Sequence, residues 1–178
     1  MADQTESKAA ITDDDIIRLL QIGYVLEGIV EARSDRHTTN EVFDRTITRR
    51  LLADARDESR QHRRQIGALL ESLGAECSSS QQIEKRIKSH YCPAEIDDRC
   101  DILQDQFYSE LSAYRFYDAV LNEIQANATA LSIDIDNVVT VLEEIRAEEL
   151  EGVFEVMNAA NSADGACSDI EIPKEKLV

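Results

Sequence analysis

Glu58 and His62 lie four residues apart within the series Leu51, Ala55, Glu58, His62, Ile66, Leu69, Leu73, in which every step is three or four residues. Such spacing puts the whole series on one face of a helix, so a carboxylate and an imidazole are expected to point toward a core. An ionised carboxylate left alone there costs several kcal/mol, which calls for a partner or a bound cation on the neighbouring helices.

Three further segments supply carboxylates of the same kind. Leu103, Phe107, Glu110, Tyr114, Tyr117, Leu121 and Ile124 form a second stripe, and Val138, Val141, Ile145, Glu148, Gly152 and Val156 a third. Glu27 and Glu31 follow Leu20 and Tyr24 in a segment that is apolar almost all round, Ile16 to Val30. Glu27, Glu58, Glu110 and Glu148 are thus each expected near the middle of an inward helix face. Inward carboxylates at low dielectric repel one another, and a pair of metal cations is the economical way to neutralise them.

The elements that must position these groups are helices. The chain has 178 residues, only two prolines and six glycines, and no tryptophan, a composition that favours helix and a length that fits one domain with a real core. Thr12 and the acidic residues after it predict the start of a first helix, running to about Asp35, with a turn over Arg36 to Glu41. A second, unusually long helix is predicted from Glu41 to Leu73, stopped by Gly74. A short helix is predicted over Gln81 to His90, ending before Pro93. Helix three is expected over Asp97 to Ala126 and helix four over Asp136 to Ala160. Residues 1–12 are expected to be disordered, 13–161 to form the bundle and 162–178 to be a flexible tail. A short loop, a long crossover and a moderate loop give the connectivity of a ferritin-like four-helix bundle, an all-α fold. An internal repeat agrees with two facing hairpins: Leu51-Leu52 precedes Glu58 by the interval separating Val141-Leu142 from Glu148, with Arg56 matching Arg146.

The net charge of −17 argues against nucleic acid or an anionic membrane as partner, since a polyanionic surface gives up the attraction that dominates such binding. Of 19 basic residues five are lysine, against 36 acidic ones, a balance that suggests adaptation to concentrated salt. No run of eighteen apolar residues occurs and Met1 to Ala10 is polar, so neither a membrane span nor a secretory signal is expected and the location expected is cytoplasmic. Cys77, Cys92, Cys100 and Cys167 show no Cys-x-x-Cys spacing and are expected to be plain thiols; Cys92 and Cys100 are near enough to approach, but a cytosolic disulfide is not expected.

Glu58-Ser-Arg-Gln-His62, Glu110-Leu-Ser-Ala-Tyr-Arg-Phe-Tyr117 and Arg146-Ala-Glu-Glu-Leu-Glu-Gly152 together resemble the rubrerythrin-like, di-iron carboxylate branch of the ferritin-like superfamily, over Asp13 to Ala160. The resemblance implies two iron ions, with manganese as an alternative. It implies Glu27 and Glu110 as terminal ligands, Glu58 and Glu148 as bridges and His62 as a nitrogen donor. Tyr24, Tyr114 and Tyr117 would stand behind them as hydrogen-bond donors, relays or plain core. The sequence departs from the family pattern twice. Glu58 and His62 are four residues apart where the family has Glu-x-x-His, and Gly152 offers no side chain where a second histidine is expected, leaving Glu151, Glu149 or water to fill in.

The implied activity is oxidation of ferrous iron or reduction of peroxide or dioxygen by a homodimer with an external electron donor. The competing reading is a non-catalytic bundle with a degenerate site, acting as a dimeric scaffold, a regulator or a partner protein docked through its tail, Ser168 to Val178. His37 and His90 are expected to face solvent, and Arg60, Arg63 and Arg64 to form a solvated or subunit-pairing face.

Overall fold

The structure is a computed structural model that describes residues 11–38, 46–77, 99–162 and 167. Four α-helices make up almost all of it, with no strand among the described residues: α1 (Asp13–Thr38), α2 (Thr46–Ser72), α3 (Arg99–Asn127) and α4 (Ile135–Asn161), the last two joined through a 3-10 turn at Ala128–Ala130. The architecture is therefore all-α, as expected. The expected short helix at Gln81 to His90, the terminal segment 1–10 and most of the tail lie outside the described residues.

Local chemistry accounts for the helix ends. The Thr12 hydroxyl accepts from the Asp15 N–H (3.3 Å) while the Asp15 carboxylate accepts from the Thr12 N–H (3.1 Å), a reciprocal cap that starts α1. At the end of α2, Gly74 adopts φ +70°, and the Ala75 N–H reaches back to the Leu70 carbonyl (2.8 Å). That left-handed turn is open to glycine at little steric cost. The Asp134 side chain accepts from the Asn137 N–H (3.3 Å) and starts α4.

Cross-helix bonds fix the directions. Arg60 and Arg56 of α2 meet Glu31 and Asp35 of α1, while Gln21 near the start of α1 reaches the Glu76 carbonyl beyond the end of α2, so α1 and α2 are antiparallel. Ser34 and His37 of α1 meet Gln106 and Asp105 of α3, and Glu27 meets Tyr117, so α1 and α3 are also antiparallel. Arg146 of α4 pairs with Asp118 of α3. The most extensive packing is within α1/α2 and within α3/α4, with lesser contacts between α1 and α3 and between α2 and α4. It follows that α2 and α3 run parallel. Two helical hairpins face each other, and α2 ends at the opposite end of the bundle from the start of α3.

The core falls into two larger clusters and a small third one, Leu52 with Ile102. The first contains Ile16, Leu20, Ile66, Leu70, Tyr117, Leu121, Leu142 and Ile145. The second contains Leu103, Phe107, Leu111, Val153 and Val156. Near mid-helix come the buried polar residues Glu27, Ser59, His62, Glu110 and Glu149, with Ile66 of the first cluster following His62 on α2 and Val153 of the second following Glu149 on α4. None of the helices is long and apolar enough to cross a membrane.

Two expectations are corrected here. Cys100 and Cys167 form a disulfide, so these two are not plain thiols and Cys100 does not pair with Cys92. The bond draws Cys167 from beyond α4 onto the cluster of Leu103 and Phe107, where its sulfur shares their apolar surroundings. His37 is buried and hydrogen-bonds the Asp105 carboxylate (3.2 Å) instead of facing solvent.

Candidate metal centre

The polar layer is built from one inward face of each helix. α1 contributes Glu27, which has no exposed surface. Its Oε1 accepts a hydrogen bond from the buried Tyr117 hydroxyl of α3, and its Oε2 has no hydrogen-bond partner. An unpartnered carboxylate oxygen in a dry core is costly, and here it lies 3.6 Å from Nδ1 of His62. His62, 2% exposed on α2, has its Nδ1 at 2.9 Å from Oε1 of Glu149 and its Nε2 at 2.7 Å from Oε2 of Glu148. Ligand atoms of Glu27, His62 and Glu149 all fall within 4.8 Å of one another.

Glu110 of α3 completes the layer. It is 4% exposed, it accepts from the Gln106 side-chain amide (2.5 Å), and its charge acts on the neighbouring carboxyl of Glu149. The negative charge of Glu110 disfavours ionisation of Glu149 beside it, so the two resist being ionised together. Burial first, and then the charges of Glu27 and Glu58, push the Glu110 carboxyl up to about 7 against its interaction with Glu149 and its hydrogen bond from Gln106. Glu149 is raised well above the carboxylate range by burial and by the Glu27 charge. Burial disfavours the imidazolium of His62, but the carboxylates of Glu149 and Glu27 override it and hold the ring up to about 11.

Gly152 shapes the layer from α4. A Cβ built there would lie 2.6 Å from Oε2 and 3.0 Å from Cδ of Glu110, so the missing side chain is the space that the Glu110 carboxylate occupies. On its other side Gly152 lines a recess of ≈ 290 Å³ between α2 and α4, whose remaining walls are Glu58, Gln61, Glu148, Glu151 and Glu155. The buried carboxylate and this acidic opening are thus separated by a glycine backbone.

The expected site residues divide accordingly. Glu27, His62 and Glu110 are buried and brought together. Glu58, Glu148 and Glu151 are not in the buried layer; all three line the recess. Glu58 is an exposed residue whose partly shielded carboxyl is pushed up by that shielding and by the nearby charges of Glu155 and Glu148. The Glu148 side chain is 44% exposed and touches the layer only through Nε2 of His62.

The register explains both corrections. On α2 the buried series is Leu52, Ala55, Ser59, His62, Ile66, Leu69, which places Ser59 inside and Glu58 outside. On α4 it is Val138, Leu142, Ile145, Glu149, Val153, Val156, which places Glu149 inside and Glu148 at the edge. The sequence pattern offers Glu149 only as a substitute for the side chain that Gly152 lacks. The second series was available as a signal, because it is as regular as the one through Glu148 and contains no glycine.

The remaining candidates behave as packing and ion-pair groups. Tyr114 packs against the Leu103 cluster, and the Tyr24 ring lies 5.6 Å beneath the Arg63 guanidinium. Arg60 and Arg63 both pair with Glu31 within the chain.

No protein family, no curated protein and no solved structure matches this chain.

Proposed function

We propose that the polar layer is a metal centre, in which Glu27, His62 and Glu149 hold one divalent ion and Glu110 stands beside them as a further carboxylate. The observation that carries this reading is the buried Oε2 of Glu27, which has no hydrogen-bond partner and lies 3.6 Å from His62 Nδ1 within a cluster of ligand atoms. A carboxylate-rich set with one imidazole suits iron or manganese. The proposed function is ferrous iron oxidation or peroxide or dioxygen reduction in a ferritin-like, rubrerythrin-like bundle, with electrons from an external donor. One ion is proposed in place of two because Ser59 stands one turn before His62 and Gly152 one turn after Glu149, which removes a carboxylate from α2 and a nitrogen from α4.

Bound there, iron or manganese would supply one-electron chemistry toward dioxygen or peroxide. The residues of the chain divide the other tasks. Tyr117 donates to Oε1 of Glu27 and fixes which oxygen remains for a cation. Glu148 accepts at Nε2 of His62 and orients the ring so that Nδ1 faces Glu27 and Glu149. Gln106, itself held by Ser34 on α1, aims Glu110. Loading such a site requires loss of the His62 Nδ1 proton and ionisation of Glu149, whose carboxyl burial holds toward its neutral form, so cation uptake releases protons. The acidic recess over Gly152 is the side from which a cation is attracted.

A second reading has its own observation. Both ring nitrogens of His62 are engaged by carboxylates, so an imidazolium offsets part of the layer's negative charge with no metal at all. The bundle is then a scaffold with a structural ion-pair layer. Adding air or peroxide to anaerobically ferrous-treated protein separates the two. The metal reading expects oxidation faster than in buffer, with a new near-ultraviolet absorbance, and loss of both in Glu27→Gln; the scaffold reading expects the buffer rate in both proteins.

A further inference from the structure

A second opening lies on the seam between α1 and α2, away from the acidic recess. Its volume is ≈ 630 Å³, and its walls include Tyr24 on α1, Arg60, Arg63, Arg64, Gly67 and one carboxylate, Glu71, on α2, and Cys77 just beyond the end of α2. The three arginines follow the helical spacing that places them on one side of α2. In a chain of net charge −17 this is an unusual concentration of positive side chains around a concave surface.

We propose that this recess binds a small polyanion, with phosphate or carboxylate oxygens held by Arg60, Arg63 and Arg64.

Three features support it. The first is preorganisation: Glu31 accepts from Nε of Arg60 (2.9 Å) and from Nη1 of Arg63 (2.7 Å), and Tyr24 lies beneath the Arg63 guanidinium. One carboxylate thereby positions two guanidiniums, and each keeps further N–H donors for a second anion. The second is Arg64, an exposed residue with no ion-pair partner among the described residues. The third is Gly67. A Cβ there would meet only the Tyr24 ring at 3.5 Å and Cys77 Sγ at 3.7 Å, ordinary contact distances, so packing does not demand glycine. Glycine in mid-helix is otherwise unfavourable, and its effect here is to leave the wall of the recess open. This inference does not depend on the metal reading, since none of its residues belongs to the buried layer.

Cys77 gives the recess a reporter at its rim. Its thiol is raised above the usual value by burial and by Glu71, and an anion beside it would depress the thiolate fraction further and shield the sulfur. The experiment follows alkylation of Cys77 by iodoacetamide, a neutral reagent, with peptide mapping by mass spectrometry. Inorganic pyrophosphate and citrate are added in separate arms against sodium chloride of matched ionic strength. The expected result is saturable slowing of about five-fold or more by at least one of the two anions, abolished in Arg64→Gln. Slowing by pyrophosphate alone identifies a phosphate ligand, by citrate alone a carboxylate ligand, and by both a general oxyanion site. No slowing by either, equal slowing by sodium chloride, or undiminished slowing in Arg64→Gln overturns the proposal.

Discussion

Gly152 of α4 lies directly against the carboxylate of Glu110 on α3, so close that a methyl group at 152 would stand 2.6 Å from Oε2. Gly152→Ala therefore displaces a buried carboxyl from its hydrogen bond with Gln106 and from its place beside Glu149. Disrupting such bonds costs about 1–3 kcal/mol, partly offset by alanine's helix preference of about 1 kcal/mol. The expected net loss is about 1 kcal/mol in urea unfolding. Gly67→Ala is the control: it meets only ordinary contacts, and a gain of about 0.5–1 kcal/mol is expected.

Tyr117→Phe removes the hydroxyl that donates to Glu27 Oε1 and leaves both oxygens of a fully buried carboxylate without hydrogen-bond partners. The expected cost in the metal-free protein is about 1–3 kcal/mol by chemical denaturation. Because a cation would compensate Glu27, the deficit is expected to shrink when ferrous or manganous ion is added, a comparison that denaturation with and without metal makes directly.

The metal-free protein is expected to lose stability as pH rises. Glu110 is held up to about 7, so its contribution is fully present below the ordinary carboxylate value and is lost as pH climbs through about 7. Glu149 is shifted in the same direction. His62, held up to about 11, contributes fully below its unfolded value near 6.5 and loses that contribution as pH rises toward 11. All three act with one sign, so denaturation midpoints in chelator should fall from about pH 5 to about pH 9. A flat or rising profile contradicts the proton assignments of the layer.

The Cys100–Cys167 bond closes a sequence separation of 67 residues and ties the segment after α4 to the start of α3. On chain-entropy grounds its removal costs up to about 4 kcal/mol. Reduction with a thiol, or Cys100→Ser, should lower the denaturation midpoint; an unchanged midpoint would show that the bond constrains neither state.

The helices were legible in the sequence because apolar residues recur at three and four along each of them, and because Thr12 and Gly74 mark ends with their own chemistry. The fine register was not. Glu58 and Ser59, like Glu148 and Glu149, are neighbours about 100° apart on a helix, and a template of threes and fours accepts either one. What decides is the whole stripe: Leu52 and Ser59 fit the α2 core, and Leu142, Glu149 and Val153 fit that of α4. His37 was misread for a different reason, since its partner Asp105 lies on another helix, 68 residues away. The disulfide was equally hidden, because nothing local to Cys100 or Cys167 indicates their pairing.

Metal content per chain, measured after anaerobic ferrous loading and desalting in the wild type, Glu27→Gln and His62→Ala, tests the central claim most directly. The account predicts about one tightly held iron in the wild type and its loss in both variants, with proton release on loading. Two irons would restore the dinuclear centre expected from the sequence. No retained metal in a folded wild-type bundle would contradict the account and leave Glu27, His62 and Glu149 as a structural ion-pair layer.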